Sequence, residues 1–356
     1  MGGLSTLRRV QMSIGEAADI SEKTVVLAHG AGGALMQELI AKVLKNMSDH
    51  SVGSVGLSDL DDGSTVYIGD KEIVLTTDSY VVKPLFFPGG DIGKIAVCGT
   101  INDLAVMGAR PLALTSSIIV EEGFPIAKLE RIVRSMDEIA NEAGAAIITG
   151  DTKVMEKGAL DNLVLNTSGV GLADELIRDS GLNVGDKIIV TGTVGDHGIS
   201  LLAFREGFSF EMELESDAAP LWNMIKAALD IGGVTAMKDP TRGGLASALN
   251  EMAKKSGVGI LIKEEEIPLK DAVRAASGML GIDPLDVANE GKAVIGVKPD
   301  SAAMVLETIQ KTKYGQEARI IGEVIEEHRK KVILETGLGG KRYVDMPLGE
   351  PIPRVC

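Results

Sequence analysis

The chain has 356 residues, of which 45% are apolar, 24% charged and only 3% aromatic, and its formal charge is −15. That length suits two globular domains with real cores, and the acidic balance with few aromatic rings argues against a nucleic-acid or anionic-membrane partner. Two cysteines, Cys98 and Cys356, and four scattered histidines give no disulfide framework and no readable zinc site.

Residues 1–24 read as a leader. The opening MGGLST fits a loose acylation pattern, but neither a second membrane anchor nor the apolar core of a signal peptide follows. No stretch is long and apolar enough to span a bilayer, and a cytoplasmic location is expected. HGAGGALMQELI (29–40) sets Gly30, Gly32 and Gly33 ahead of an amphipathic helix, a layout that either aims backbone N–H groups at phosphate or simply makes a turn. EIVLTT (72–77) reads as a strand running into Asp78. A helix over 91–108, a strand over 111–120 and a helix from Pro125 to Ala143 follow. The strand AAIIT then ends at Gly150-Asp151, and a strand over 162–171 closes this half. Composition shifts at ADELIRDSGLNVGD (173–186). Beyond it come the strand KIIVTG (187–192), helices over 198–206 and 217–231, a strand over 234–238 and a helix over 243–256. VGILI, a helix over 268–276, a strand over 293–297, a helix over 300–312 and strands near 319–334 complete the pattern. Such alternation predicts two α/β (α+β) domains, 25–178 and 179–345, with a flexible tail over 346–356.

No GxxxxGK[ST], GxGxxG or GxSxG motif occurs, so any nucleotide is bound by another route. Carboxylates carry the stronger signal. Asp78 and Asp151 each follow an apolar strand, at the end where open sheets place ligands. Asp103 falls on the helix face of Ile92, Ala96, Gly99, Val106 and Met107. A carboxylate among apolar neighbours must be paired, protonated or metal-bound; a buried capping role is the alternative for any one of them. With LDDGS (Asp61, Asp62) upstream, the set suits a hard cation such as magnesium. KDPTRGGL (238–245) places Asp239, Thr241 and Arg242 at a helix start, a plausible anion cradle. Asp196 and His197 open another helix, where the Asp is equally an N-cap. Lys153 and Glu290 lie on short polar turns.

These residues together resemble a known family. TTDSYVVKPLFFPGGDIGKIAVCGTINDLAVMGA (76–109) resembles the amino domain of the PurM-like ATP-using superfamily. The order EEGF, GDTKV, GDHG, DPTRGG, NEG and terminal PRVC is similar to its branch that matures [NiFe] hydrogenases, from about residue 25 to Cys356. The resemblance implies a PurM-like two-domain fold, a homodimer formed through the amino-domain sheet, and ATP with Mg2+ as cofactors. It implies an ATP-dependent dehydratase that converts an S-carboxamide on Cys356 to an S-cyanate, which supplies the cyanide ligand of the hydrogenase iron. Its partners would be a HypF-like carbamoyltransferase and an iron-carrying HypC–HypD scaffold. By the same resemblance Asp62, Asp78, Asp103 and Asp151 hold metal and nucleotide. Gly30, Gly32, Gly33, Asp239, Thr241 and Arg242 bind the nucleotide, Lys153 steadies developing negative charge and Glu290 is the base. LDDGS is looser than the family's acidic motif, which leaves Asp61 and Asp62 both open. The tail from Gly337 to Cys356 would reach roughly 60 Å when extended, with Pro351 and Pro353 keeping it from coiling into a helix: a swinging arm. A non-catalytic carrier or scaffold, or another PurM-like synthetase or kinase, is the competing reading.

Overall fold

The structure, a computed structural model, describes residues 24–48, 51–207, 214–349, 352 and 354–356. The leader before Thr24, and with it Pro351 and Pro353, lies outside the described residues. The amino-terminal part contains α1 (Ala34–Leu44), strands β1 (Ser64–Ile68), β2 (Lys71–Tyr80), β3 (Phe86–Phe87) and β4 (Gly90–Asp91), and helix α2 (Ile92–Val106). It continues with β5 (Ala109–Glu121), α3 (Ile126–Glu142), β6 (Ala146–Met155) and β7 (Leu163–Ala173). The carboxy-terminal part runs β8 (Lys187–Val190), α4 (Asp196–Glu206), α5 (Trp222–Ile231), β9 (Val234–Lys238), α6 (Gly244–Ser256) and β10 (Gly259–Lys263). Then come α7 (Asp271–Leu280), β11 (Val294–Val297), α8 (Pro299–Gln310), β12 (Arg319–Ile325), β13 (Val332–Glu335) and β14 (Lys341–Val344).

Each part is built on one large sheet, and β3 and β4 form a separate antiparallel pair. The first has the order β1-β2-β7-β5-β6 and the second β14-β13-β10-β12-β8-β11-β9. Both are mixed: β5 and β6 run parallel, as do β10 and β13, and the remaining pairs are antiparallel. Alternation along β7 (Leu163, Leu165 and Thr167 inward) is the period-2 pattern of a sheet with one covered face.

Helix α2 is the hub. It is apolar nearly all round, as a helix enclosed on every side must be, and Ile92, Ile95, Ala96, Val97, Cys98 and Ile101 are completely buried. It packs on β2, β5 and β7 on one side and on α3 and α5 on the other. Glycines permit the approach. A side chain at Gly93 would meet the Ile132 carbonyl at 2.4 Å, and one at Gly99 would meet the Tyr80 hydroxyl at 2.0 Å. The joint between the two parts is hydrogen-bonded as well as apolar. Asn102 on α2 donates to the carbonyls of Ala219 and Glu290 and accepts from the Leu221 N–H at 2.9 Å. Leu221 precedes Trp222, which is 8% exposed in the same core.

Several boundaries depart from the sequence reading. The helix expected from 217 begins at Trp222. The strand expected to end at Gly150-Asp151 continues to Met155, because long β5 offers it a partner through Glu121 and Thr152 and Val154 favour the extended chain. Asp151 therefore sits mid-strand. Strands β1 and β14 were not foreseen by the apolar pattern: both are short and largely exposed. Among the described residues no helix is long and apolar enough to cross a membrane.

Candidate active site

A cleft of about 320 Å³ opens where the two sheets' connecting loops meet, lined by Asp62, Asp78, Asp103, Asp239, Glu290 and Cys356 among others. Each side chain arrives on a different element. Asp78 is near the end of β2, Asp103 is in the last turns of α2, and Asp62 is in the loop ahead of β1. Asp239 follows β9, on the loop that enters α6. That loop turns through Gly243 and Gly244, both at positive φ. A side chain on Gly244 would strike the carbonyls of Leu285 and Val287 at 2.5 Å, so glycine is needed there both for conformation and for room.

The cleft crowds carboxylates together, with Lys238 against Asp62 and Arg242 in the lining as its cations. One carboxylate oxygen from each of Asp62, Asp103 and Asp239 lies within 4.8 Å of the others. Burial, then Asp78, Asp239 and Asp62, push the Asp103 carboxyl well above the ordinary range, although Thr76 Oγ1 donates to it at 2.7 Å. Asp239 is raised by burial and by Asp62. Glu290 is 2% exposed, raised by burial and then by Asp217, Asp239 and Asp78, and its Oε1 has no hydrogen-bond partner; neither has Oδ2 of Asp62. Crowded, orphaned carboxylate oxygens are what a hard divalent cation satisfies, so the donor set fits Mg2+.

Asp61 and Asp62 both line the cleft but differ in their surroundings. Asp62 belongs to the three-carboxylate group and also accepts from the buried Lys238 ammonium, whereas Asp61 Oδ2 faces Arg178 at 3.9 Å. Thr241 and Arg242 line the same cleft. The glycine-rich segment is packed closely against two other stretches of the chain. Gly32, at φ 74°, lies so close to the Arg242 backbone that a side chain would meet it at 2.5 Å, and Gly33 abuts the Pro347 carbonyl. The first N–H of α1, from Ala34, donates to that same carbonyl at 3.1 Å.

Asp151 and Lys153 are not brought to the cleft of their own chain. They pair with each other at 2.7 Å on the face of β6, with side chains 60% and 65% exposed, and the lysine holds the Asp151 carboxyl below its usual range. Asp196 is not the N-cap of α4: Gly195 occupies that position at φ 82°, and Asp196 pairs with Lys270 at 2.9 Å.

Three residues escaped the sequence reading. Tyr80, buried at 4% exposure, donates to Asp78 Oδ2 at 3.0 Å. Asn289 ties three motifs together, donating to Pro240 O at 3.0 Å and accepting from Gly195 N–H at 2.8 Å. Asn102 holds the Glu290 carbonyl. Adjacency to Asp103 and Glu290 was the one available signal for the two asparagines, and Tyr80 gave none.

The C-terminal tail, expected as a flexible swinging arm, is docked at its described residues. Ile352 and Val355 are 2% and 1% exposed, because apolar side chains at these positions find a slot beside α4. Cys356 is thereby set at the cleft, whereas Cys98 is sealed in α2 with its thiol pushed up by burial.

Two family models match, the AIR synthase related protein N-terminal domain over residues 60–173 and its C-terminal domain over 183–335. The carbamoyl dehydratase HypE of Rhizobium leguminosarum is 44% identical over 95% of this chain and 97% of its own. A crystal structure of a HypE–HypF complex contains a chain 45% identical, covering 87% of this chain and 99% of that one with a TM-score of 0.81. HypE crystallised with ATP is 38% identical over 94% of this chain and 100% of its own, with a TM-score of 0.78. Matches of this depth along both sheets, on a cleft that gathers the acidic motifs and the terminal cysteine, make the chain a member of the AIR synthase related family and, within it, of the HypE carbamoyl dehydratases.

Proposed function

We propose that this carbamoyl dehydratase acts on its own C-terminus, converting an S-carboxamide on Cys356 to an S-cyanate with ATP, for delivery of cyanide to a hydrogenase iron. The observation that carries the reading is the shared cleft of Cys356, Glu290 and the aspartates. Overall, R–S–C(=O)NH2 and ATP give R–S–C≡N, ADP and phosphate. The carboxamide oxygen leaves with the transferred phosphoryl group and both amide protons are released.

Asp62, Asp103 and Asp239, with Asp78 beside them, would hold Mg2+, which supplies charge neutralisation for the nucleotide phosphates. Arg242 and Thr241 face the same space and would orient phosphate. Glu290 would take a proton from the carboxamide nitrogen. Its orphaned Oε1 is an acceptor without a competing donor, as a base for that N–H requires. ATP binding is supported by the relative crystallised with it, and a HypF-like carbamoyltransferase as loading partner by the relative crystallised with HypF. A HypC–HypD scaffold as cyanide acceptor rests on the sequence resemblance, as does a cytoplasmic location.

Asp151 and Lys153 take part, in this reading, through a homodimer. Strand β6 is an unpaired edge with Ile148 and Val154 67% and 70% exposed, an arrangement that single chains normally cover. Pairing through the amino-domain sheet would bury it and carry Asp151 and Lys153 to the partner's nucleotide, Lys153 steadying its charge. Intact-mass analysis after incubation with carbamoyl phosphate, a HypF-type transferase and ATP tests the reading. The chain should gain a carbamoyl group on Cys356 and then lose one water. An adduct that never dehydrates would favour the carrier role instead.

A further inference from the structure

The last three residues are held by a set of polar contacts that read their backbone. His197 is completely buried and its Nε2 lies 2.7 Å from the Val355 carbonyl. A carbonyl can only accept, so Nε2 carries a proton, and Nδ1 lies 2.7 Å from Ser216 Oγ, a hydroxyl able to donate to it. Burial lowers the proton affinity of the ring, which favours the neutral form with its proton on Nε2. Phe87 meets the ring edge-on at 5.6 Å and fixes its plane. One residue upstream, Arg354 adopts φ 59°, turning its carbonyl toward the Lys83 N–H at 3.2 Å and toward the Arg205 guanidinium. Its own guanidinium donates to Asp161 at 2.6 Å and to the Val81 carbonyl at 3.2 Å. The same wall carries the proposed base: Ser216 adjoins Asp217, whose Oδ1 accepts the Glu290 N–H at 3.0 Å.

We propose that His197 is the positioning residue for Cys356: with Asp161 it forms a latch that seats the terminal segment, His197 by the Val355 carbonyl and Asp161 by the Arg354 guanidinium, and so sets the thiol, with whatever group it carries, against Glu290. The proposal rests on the dehydratase reading for its purpose, but the latch itself is a matter of tail docking and can be measured without ATP chemistry. A donor to a main-chain carbonyl is indifferent to the group on the thiol, so the same latch serves Cys356 before and after loading. Loading by a second protein requires the segment out; dehydration requires it in. Weakening the latch should therefore move the two steps in opposite directions.

The test uses the full-length chain and the rate at which iodoacetamide alkylates Cys356, followed by intact mass. His197→Ala should raise that rate about tenfold, equivalent to ~1.4 kcal/mol. His197→Gln, whose amide N–H can reach the same carbonyl, should restore much of the protection. Asp161→Asn, a change at an exposed side chain that leaves the core untouched, should raise the rate about threefold and keeps the test valid if the buried His197 variant does not fold. Carbamoylation by the transferase should proceed at least as fast in His197→Ala and Asp161→Asn, while dehydration of pre-loaded chain slows. Alkylation at the wild-type rate in both variants overturns the latch, whatever becomes of the dehydratase. Equal slowing of loading and dehydration would also overturn it, since general damage does not separate the two steps.

Discussion

Asp103 and Asp151 are the same residue type beside apolar segments, and they live in opposite electrostatic worlds. Asp103 faces three other aspartates at a domain joint, and its carboxyl is pushed well up by burial and like charge. Asp151 stands on an exposed sheet edge, neutralised by Lys153 two residues away and held low by it. The first can be stable as a carboxylate only when something cationic joins it; the second needs nothing from its own chain. A cleft assembled to be charged by its ligand therefore differs from a surface pair ready for another molecule.

The largest expected effect breaks the contrast at its extreme. Asp103→Asn should weaken Mg·ATP binding at least ~10-fold by calorimetry, yet raise the unfolding temperature of the metal-free protein at neutral pH. The sign follows from linkage: a carboxyl with a raised folded-state pKa contributes stability that is complete below the unfolded value and lost as pH rises through the folded one, and asparagine has no such loss. Asp151→Asn should leave the unfolding temperature of the chain where it is and still abolish product. If the sites of a dimer draw on both chains, a mixture of inactive Asp103→Asn and Asp151→Asn proteins, allowed to exchange subunits, should regain about one quarter of wild-type activity, because half the dimers then carry one intact site. No recovery would confine Asp151 to its own surface.

The cysteines sharpen the same point at smaller scale. Cys98→Ala should cost about 1 kcal/mol in denaturant unfolding, as a small buried side chain does, with carbamoylation retained. Cys356→Ala should leave Mg·ATP binding intact and remove the adduct. The smallest effect lies between the two aspartates. Asp286 is partly buried near Asp283, and burial first, then that like charge, raises its carboxyl to about 6. Asp286→Asn should stabilise the protein by roughly 1 kcal/mol at pH 7. The gain should vanish below pH 3.8, the ordinary value of an aspartate carboxyl, grow between there and about 6 and be level above that in pH-dependent unfolding.

Much of this was legible one residue at a time. Helical phase was enough to put Asp103 on the Gly99 face, and both line the cleft; the acidic and glycine-bearing motifs around Asp239 and Glu290 also announced themselves. Partnership was not legible. Asn102 matters because it bonds to Ala219 and Glu290, 117 and 188 residues away, and its place beside Asp103 on an apolar helix does not name those partners. Asp62 differs from Asp61 through partners distant in sequence, Asp103, Asp239 and Lys238 among them. Asp151 was misplaced in its strand because pairing with β5, rather than local propensity, decides where β6 stops. Ile352 and Val355 read as tail, since a slot that fits them is a property of α4 and the loops beside it.

The packing of Trp222 at the joint has a practical corollary. It is the single tryptophan of the chain, in a helix that leans on α2 directly after the residue bonded to Asn102. Its emission is therefore an intrinsic, label-free gauge of whether the two halves stay seated on one another. A red shift that precedes loss of far-ultraviolet dichroism would mark the halves parting before either sheet melts, and coincident transitions would mark a molecule that opens only by unfolding.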